Sequence, residues 1–201
     1  MDAIETLMNE HRLIERALDA LVSFADEVRR KTTDDKAELG RFVAFIREFA
    51  DAHHHGKEEN ILFTAMVDAG FPRQGGPIAV MLFEHDQGRA FVRQLANLAQ
   101  QPAPWSADDR QHLAEAAFSF SNHLHNHIHK EDAILYPMAE QRLPPDALER
   151  VSAACERYDE QKAASGEADR LRALADDLLA RHANLNADPQ PRPVHASGGC
   201  C

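Results

Sequence analysis

The chain has 201 residues, enough for one domain with a sizeable core, and its 33 acidic against 22 basic side chains give a net charge of −11. That balance argues against a nucleic-acid groove or an anionic membrane surface as partner, because both select clustered Lys and Arg. An apolar fraction of 44% argues against a disordered chain, and histidine is over-represented: twelve, against nine Gly.

The N-terminus, MDAIETLMNEH, lacks the basic start and apolar run of a signal peptide. Asp2, with Glu5 as capping-box partner, opens a helix predicted to reach about Lys31. TTDD at 32–35 caps a second, ending near Gly70 before Phe71-Pro72. Gly75-Gly76-Pro77 opens a third, which QQPAPW ends. The longest apolar run, Pro77 to Phe83, is far shorter than a membrane span. Ser106 followed by Asp109 caps a fourth helix, which Tyr136-Pro137 and Pro144-Pro145 are expected to end or kink. A fifth helical stretch, broken at Gly166, runs to Arg181. Nothing alternates with period two.

These signals predict an all-α fold: an up-down-up-down four-helix bundle over residues 1–143, a C-terminal helical extension over 144–182 packing on it, and a flexible tail over 183–201. Only Cys155 lies inside the expected fold, with Cys200 and Cys201 at the end. Without a disulfide framework, a reduced cytoplasmic location is expected.

The apolar seams carry polar residues where a bundle should be greasy. Helix one reads Ile4, Leu7, His11, Ile14, Leu18; helix two reads Ile46, Ala50, His54, Glu58, Ile61, Ala65. Helix three reads Ile78, Met81, His85, Gly88, Val92; helix four reads Phe120, Leu124, His127, Glu131, Ile134, Met138. The pattern is also duplicated. Glu10-His11 recurs as Glu84-His85, and HHGKEENILF at 54–63 recurs as HIHKEDAILY at 127–136. His11 to His85 is 74 positions, and His54 to His127 and Glu58 to Glu131 are 73 each, a near-constant offset that suggests a duplicated helical hairpin.

His and Glu at i and i+4 share a helical face. His11, His54, Glu58, His85, His127 and Glu131 thus converge in the bundle interior, where unpartnered carboxylates would cost several kcal/mol each. Two divalent cations would neutralise them, and mixed imidazole and carboxylate donors suit iron, with manganese or zinc as substitutes. Six ligands for two ions leave positions open to a small ligand. The blander reading is that each seam histidine is a hydrogen-bonded core residue, but the paired repeats weigh against it. His53 and His123 lie on the seam's shoulders as alternate ligands or as supports behind a ligand ring. Glu10 and Glu84 are either such supports or solvated surface. His55, His125 and His129 point away and read as exposed, Glu59 and Asp132 read as solvated surface, and His112, His182 and His195 have no supporting neighbours.

With EH on helix one, HxxxEExxLF, a second EH and then HxxxEDxxLYP, residues 4–140 resemble the hemerythrin-like (HHE cation-binding) domain family. The resemblance implies a four-helix bundle with a carboxylate-bridged non-haem di-iron centre, oxo- or hydroxo-bridged, on His11, His54, Glu58, His85, His127 and Glu131. Oxygen carriers of that family place a second His on the third helix, where this chain has Met81 and Arg89 around His85. It is therefore more similar to the four-His, two-Glu variants associated with nitric oxide, iron–sulfur repair, peroxide or redox sensing. The expected function is to bind, sense or reduce a small oxidant (O2, NO or peroxide). The alternative is an iron buffer or metal/redox sensor without turnover. No redox partner is legible.

Overall fold

The computed structural model describes residues 2–182, so the tail predicted over 183–201, with His195, Cys200 and Cys201, lies outside the described residues. Six helices and, among the described residues, no strand make up the fold. Helix α1 is Ala3–Arg29, α2 spans 36–68, α3 is Gly76–Ala99, α4 spans 107–142, α5 is Pro145–Ala164 and α6 is Glu167–His182. No described helix is long and apolar enough to cross a membrane.

The caps follow the sequence. The Asp2 carboxylate accepts the Ile4 N–H at 3.1 Å, and the Asp35 carboxylate accepts the Glu38 N–H at 3.0 Å. Ser106 and Asp109 form a reciprocal capping box, each accepting the other's backbone N–H at 3.0 Å. Gly166 holds φ at +75° between α5 and α6, a conformation L side chains rarely adopt.

Helices α1 to α4 form a ring in which each packs on the next and α4 closes on α1. The interior divides into two apolar clusters. One gathers Ile14, Leu18, Phe24, Phe42, Leu95 and Phe120; the other gathers Leu7, Leu62, Phe63, Met81, Leu135 and Tyr136. Helices α5 and α6 cover the outside of α1 and α2. Leu171, Leu178 and Leu179 join the first cluster, and Val151 and Cys155 join the second.

The fourth helix runs through Tyr136-Pro137 and ends at Arg142, ahead of Pro144-Pro145. One expectation is corrected. The seams of α2 and α4 change register midway: Leu62, Met66, Leu135 and Ala139 are buried, whereas Ile61 and Ala65 are only partly buried and Ile134 is 53% exposed. The cause is the same in both helices. Phe63 N–H bonds back to Glu58 C=O and Tyr136 N–H to Glu131 C=O, five residues rather than four. Each such wide turn takes up one extra residue and rotates everything after it. In α4 it lies immediately before Pro137, whose missing N–H leaves the ladder open. A longer wide segment over Ile46–His55 precedes the one at Glu58.

Candidate metal centre

The six sequence-selected residues meet in one layer between the two apolar clusters, and all are essentially buried. His11 Nε2 lies 3.3 Å from Glu131 Oε2, and His127 Nε2 lies 3.2 Å from Glu131 Oε1. Glu58 Oε2 lies 3.7 Å from His54 Nε2 and 3.5 Å from His85 Nε2. Each carboxylate therefore faces one imidazole from the first hairpin and one from the second. The wide turns begin at these two glutamates.

Behind each ring stands a second carboxylate. His11 Nδ1 is 2.7 Å from Asp132, His54 Nδ1 2.9 Å from Glu10, His85 Nδ1 2.7 Å from Glu59 and His127 Nδ1 3.0 Å from Glu84. A carboxylate can only accept, so each Nδ1 carries the proton and, in the neutral ring, each Nε2 turns its lone pair inward. Glu59 and Asp132, expected as solvated surface, are thus part of the centre's support. The four positions also carry cations: Arg12 pairs with Asp132, Lys57 with Glu10, Arg89 with Glu59 and Lys130 with Glu84. The outward polar residues of EH, EE and ED are the sequence signal for these supports: Glu10 and Glu84 are expected as supports or surface, Glu59 and Asp132 as surface only.

His55 is also corrected. It is buried, not exposed, its ring stacked on His85 with centroids 3.8 Å apart. The wide segment ending at His55 draws His53, His54 and His55 inward together, which 3.6-residue periodicity does not anticipate. His53 sits behind His54, with Nε2 3.2 Å from Glu10 and 3.3 Å from Asp159. His123 bonds the backbone C=O of Glu84 at 2.9 Å rather than joining the layer. His129 is exposed, as expected. His125 is half-buried between Glu15 and Asp19, and His182 lies 2.8 Å from Glu38.

The donor set fits a cation. His54 Nε2, Glu58 Oε2 and both Glu131 carboxylate oxygens are buried with no hydrogen-bond partner among the described residues. His85 Nε2 and His127 Nε2 face each other at 3.1 Å with both outer nitrogens already turned to carboxylates. Burial, followed by the neighbouring Glu131 charge, pushes the Glu58 carboxyl well above the usual range. Burial alone would depress the His11 and His127 pKa values. Asp132 and Glu131 instead carry His11 up to about 9, and Glu131 and Glu84 carry His127 up to about 10. These rings hold protons at neutral pH that an incoming cation displaces, so metal uptake releases protons. Two overlapping sets offer ligand atoms within 4.8 Å of one another: His11, His54, Glu58 and Glu131, and His55, Glu58, His85 and His127.

The supports predict a graded effect. Glu84→Gln keeps volume but removes the charge behind His127, and is expected to weaken metal affinity by about 10- to 100-fold. Isothermal titration of the full chain checks this; unchanged affinity would exclude a support role for Glu84.

A family model described as the hemerythrin HHE cation binding domain matches residues 2–139. An iron–sulfur cluster repair protein (YtfE) of Musicola paradisiaca is 32% identical over 142 residues, covering 68% of this chain and 62% of its own. A probable iron–sulfur cluster repair protein of Haemophilus influenzae is 30% identical over 138 residues, 64% of this chain and 58% of its own. An uncharacterized protein of Mycobacterium tuberculosis is 25% identical over 138 residues, 67% of this chain and 52% of its own. The aligned part of the chain thus spans little more than half the length of these relatives. No solved structure gives a significant match.

Proposed function

Because the chain belongs to the hemerythrin HHE cation-binding family, we propose that it is a non-haem di-iron protein that binds, senses or reduces a small oxidant such as O2, NO or peroxide. His11, His54, Glu58, His85, His127 and Glu131 would hold the iron. The observation that carries the reading is the position of the two buried carboxylates, each between imidazoles of both hairpins and short of hydrogen-bond partners. One ion would leave part of this set unmatched; two use all of it. Bound there, iron would supply open coordination positions and one-electron chemistry.

The protein's own residues set the surroundings. Glu10, Glu59, Glu84 and Asp132 fix ring orientation and raise the basicity of the inward nitrogens. The Tyr136 hydroxyl donates to Glu58 Oε1 at 2.7 Å and holds that carboxylate in place. Burial of the whole layer excludes bulk water. A mainly apolar cavity of about 360 Å³, between Ala50, Gly88, Val92, Phe120 and Leu124, reaches inward to His55. Arg47, Asp51, Arg89 and Arg93 also line it, so it suits a small ligand without restricting it to an uncharged one. A larger cleft of about 570 Å³ between α1, α5 and α6 reaches only Glu10 and His53, on the outer side of His54.

The test is stopped-flow mixing of the iron-loaded, reduced full chain with O2, NO and peroxide. Rapid optical change with at least one of them is expected, while no reaction with any would overturn the oxidant reading and leave an iron buffer. Gly88 provides a second check, because a Cβ there would meet only Phe120, at 3.8 Å, and a larger side chain would fill the cavity. Gly88→Leu is expected to slow the reaction severalfold without changing iron content. An unchanged rate would show that ligands enter elsewhere.

A further inference from the structure

The imidazole that sequence periodicity places outside the seam shares with those inside it burial, a carboxylate behind the ring and closeness to the other donors. His55 is buried, and it shares with Glu58, His85 and His127 a set of ligand atoms lying within 4.8 Å of one another. Its Nδ1 faces the Asp51 carboxylate at 3.3 Å, so it too has a carboxylate behind it and Nε2 left over. Asp51 is in turn held by Arg89 Nε at 2.9 Å, and the same guanidinium bonds Glu59, the carboxylate behind His85, at 2.7 Å. One arginine of α3 therefore anchors the supports of two stacked rings. His11, His54, His85 and His127 show the same order of ring, carboxylate and cation. By contrast His53, equally close in sequence, turns its Nε2 to Glu10 and Asp159, away from the layer.

Apportioning donors leads to the same residue. His11, His54, Glu58 and Glu131 make one four-residue set. Without His55, the other side has only two imidazoles, His85 and His127, and the carboxylates it shares with the first set, Glu58 and Glu131. With it, that side has three imidazoles, and both four-residue sets contain Glu58.

We propose that His55 is a fifth imidazole ligand of the centre, completing the set formed by His85, His127 and Glu58. This rests on the reading of the centre as a two-ion site. The ring stack on His85 offers a purely structural alternative, in which His55 is a flat spacer, and two substitutions separate these roles. His55→Phe keeps a ring to stack on His85 but has no ligand nitrogen. His55→Gly opens a space that free imidazole can enter from the adjoining cavity.

The experiment is anaerobic Fe2+ titration of the metal-free full chain and both variants, followed by iron analysis after gel filtration and iron K-edge absorption. Wild type should take up two irons per chain, with imidazole scattering matching five rings over two ions rather than four. His55→Phe should bind one of the two irons at least about 10-fold more weakly, while its metal-free melting temperature stays close to wild type. His55→Gly should show the same loss and recover it with added imidazole. Two irons held with wild-type affinity by His55→Phe would overturn the ligand role, as would a loss in His55→Gly that imidazole does not repair. If wild type itself takes up no iron, the two-ion reading fails and the assignment fails with it. If only the variants match wild type, the centre stands and the His55 assignment falls.

Discussion

A chain carrying both Glu58→Gln and Glu131→Gln is expected to lose iron and, in the presence of a chelator, to melt no lower than chelated wild type. Both carboxylates are completely buried, and three of their four oxygens lack a hydrogen-bond partner among the described residues. Without metal, burial favours the neutral form of Glu58, and Glu131 pairs with the protonated rings of His11 and His127. The desolvation cost of such a buried set offsets its attraction, so on its own this layer adds no net stability. A cation supplies it. An ion at a concentration about 1,000 times its dissociation constant stabilises the fold by about 4 kcal/mol. In a chain of this size that is about 8 to 16 °C in melting temperature. Wild type should therefore show a large iron-dependent rise, which the double variant lacks. Calorimetric melts with iron and with chelator check both statements. An iron-dependent rise of wild-type size in the double variant would show that these carboxylates do not hold the ion.

Lys57→Met is expected to cost about 3 kcal/mol, the low end for removing one partner of a buried pair because Asp159 keeps some solvent. Lys57 is wholly buried, with Nζ 2.5 Å from Glu10 and 2.9 Å from Asp159 of α5. Burial works to lower its pKa, but these two carboxylates raise it, so the charge is retained. This one ammonium ties the C-terminal helices to the carboxylate behind His54. Its removal leaves Glu10, which is only 13% exposed, with His53 and His54 as partners but without its ammonium, and should lower the melting temperature by about 6 to 12 °C. Adding Glu10→Gln to Lys57→Met should restore part of that loss, because the charge left without its ammonium disappears with it. A double variant as unstable as the sum of the two single changes would indicate that Lys57 acts by packing rather than by charge.

The helix boundaries were legible because they are set locally by Asp2, Asp35, Ser106 and Gly166, whose side chains or dihedrals act within a few residues. The layer of His11, His54, Glu58, His85, His127 and Glu131 was legible from a duplicated pattern at helical spacing, and the structure brings those residues together. What escaped depends on the wide turns. A 3.6-residue template places Ile134 in the core and His55 on the surface, whereas turns closed five residues back expose Ile134 and bury His55. The support carboxylates escaped for another reason. Glu59 and Asp132 point away from the seam of their own helices, and only packing against α3 and α1 turns them toward His85 and His11. Partnership across helices has no period within one helix.

The most direct test of a two-ion centre is iron quantification with 57Fe Mössbauer spectroscopy on the reconstituted full chain. Two irons per chain, forming an exchange-coupled pair that is silent in electron paramagnetic resonance when oxidised, are predicted. One iron or none per chain, or two uncoupled ferric ions, would contradict the carboxylate-bridged centre.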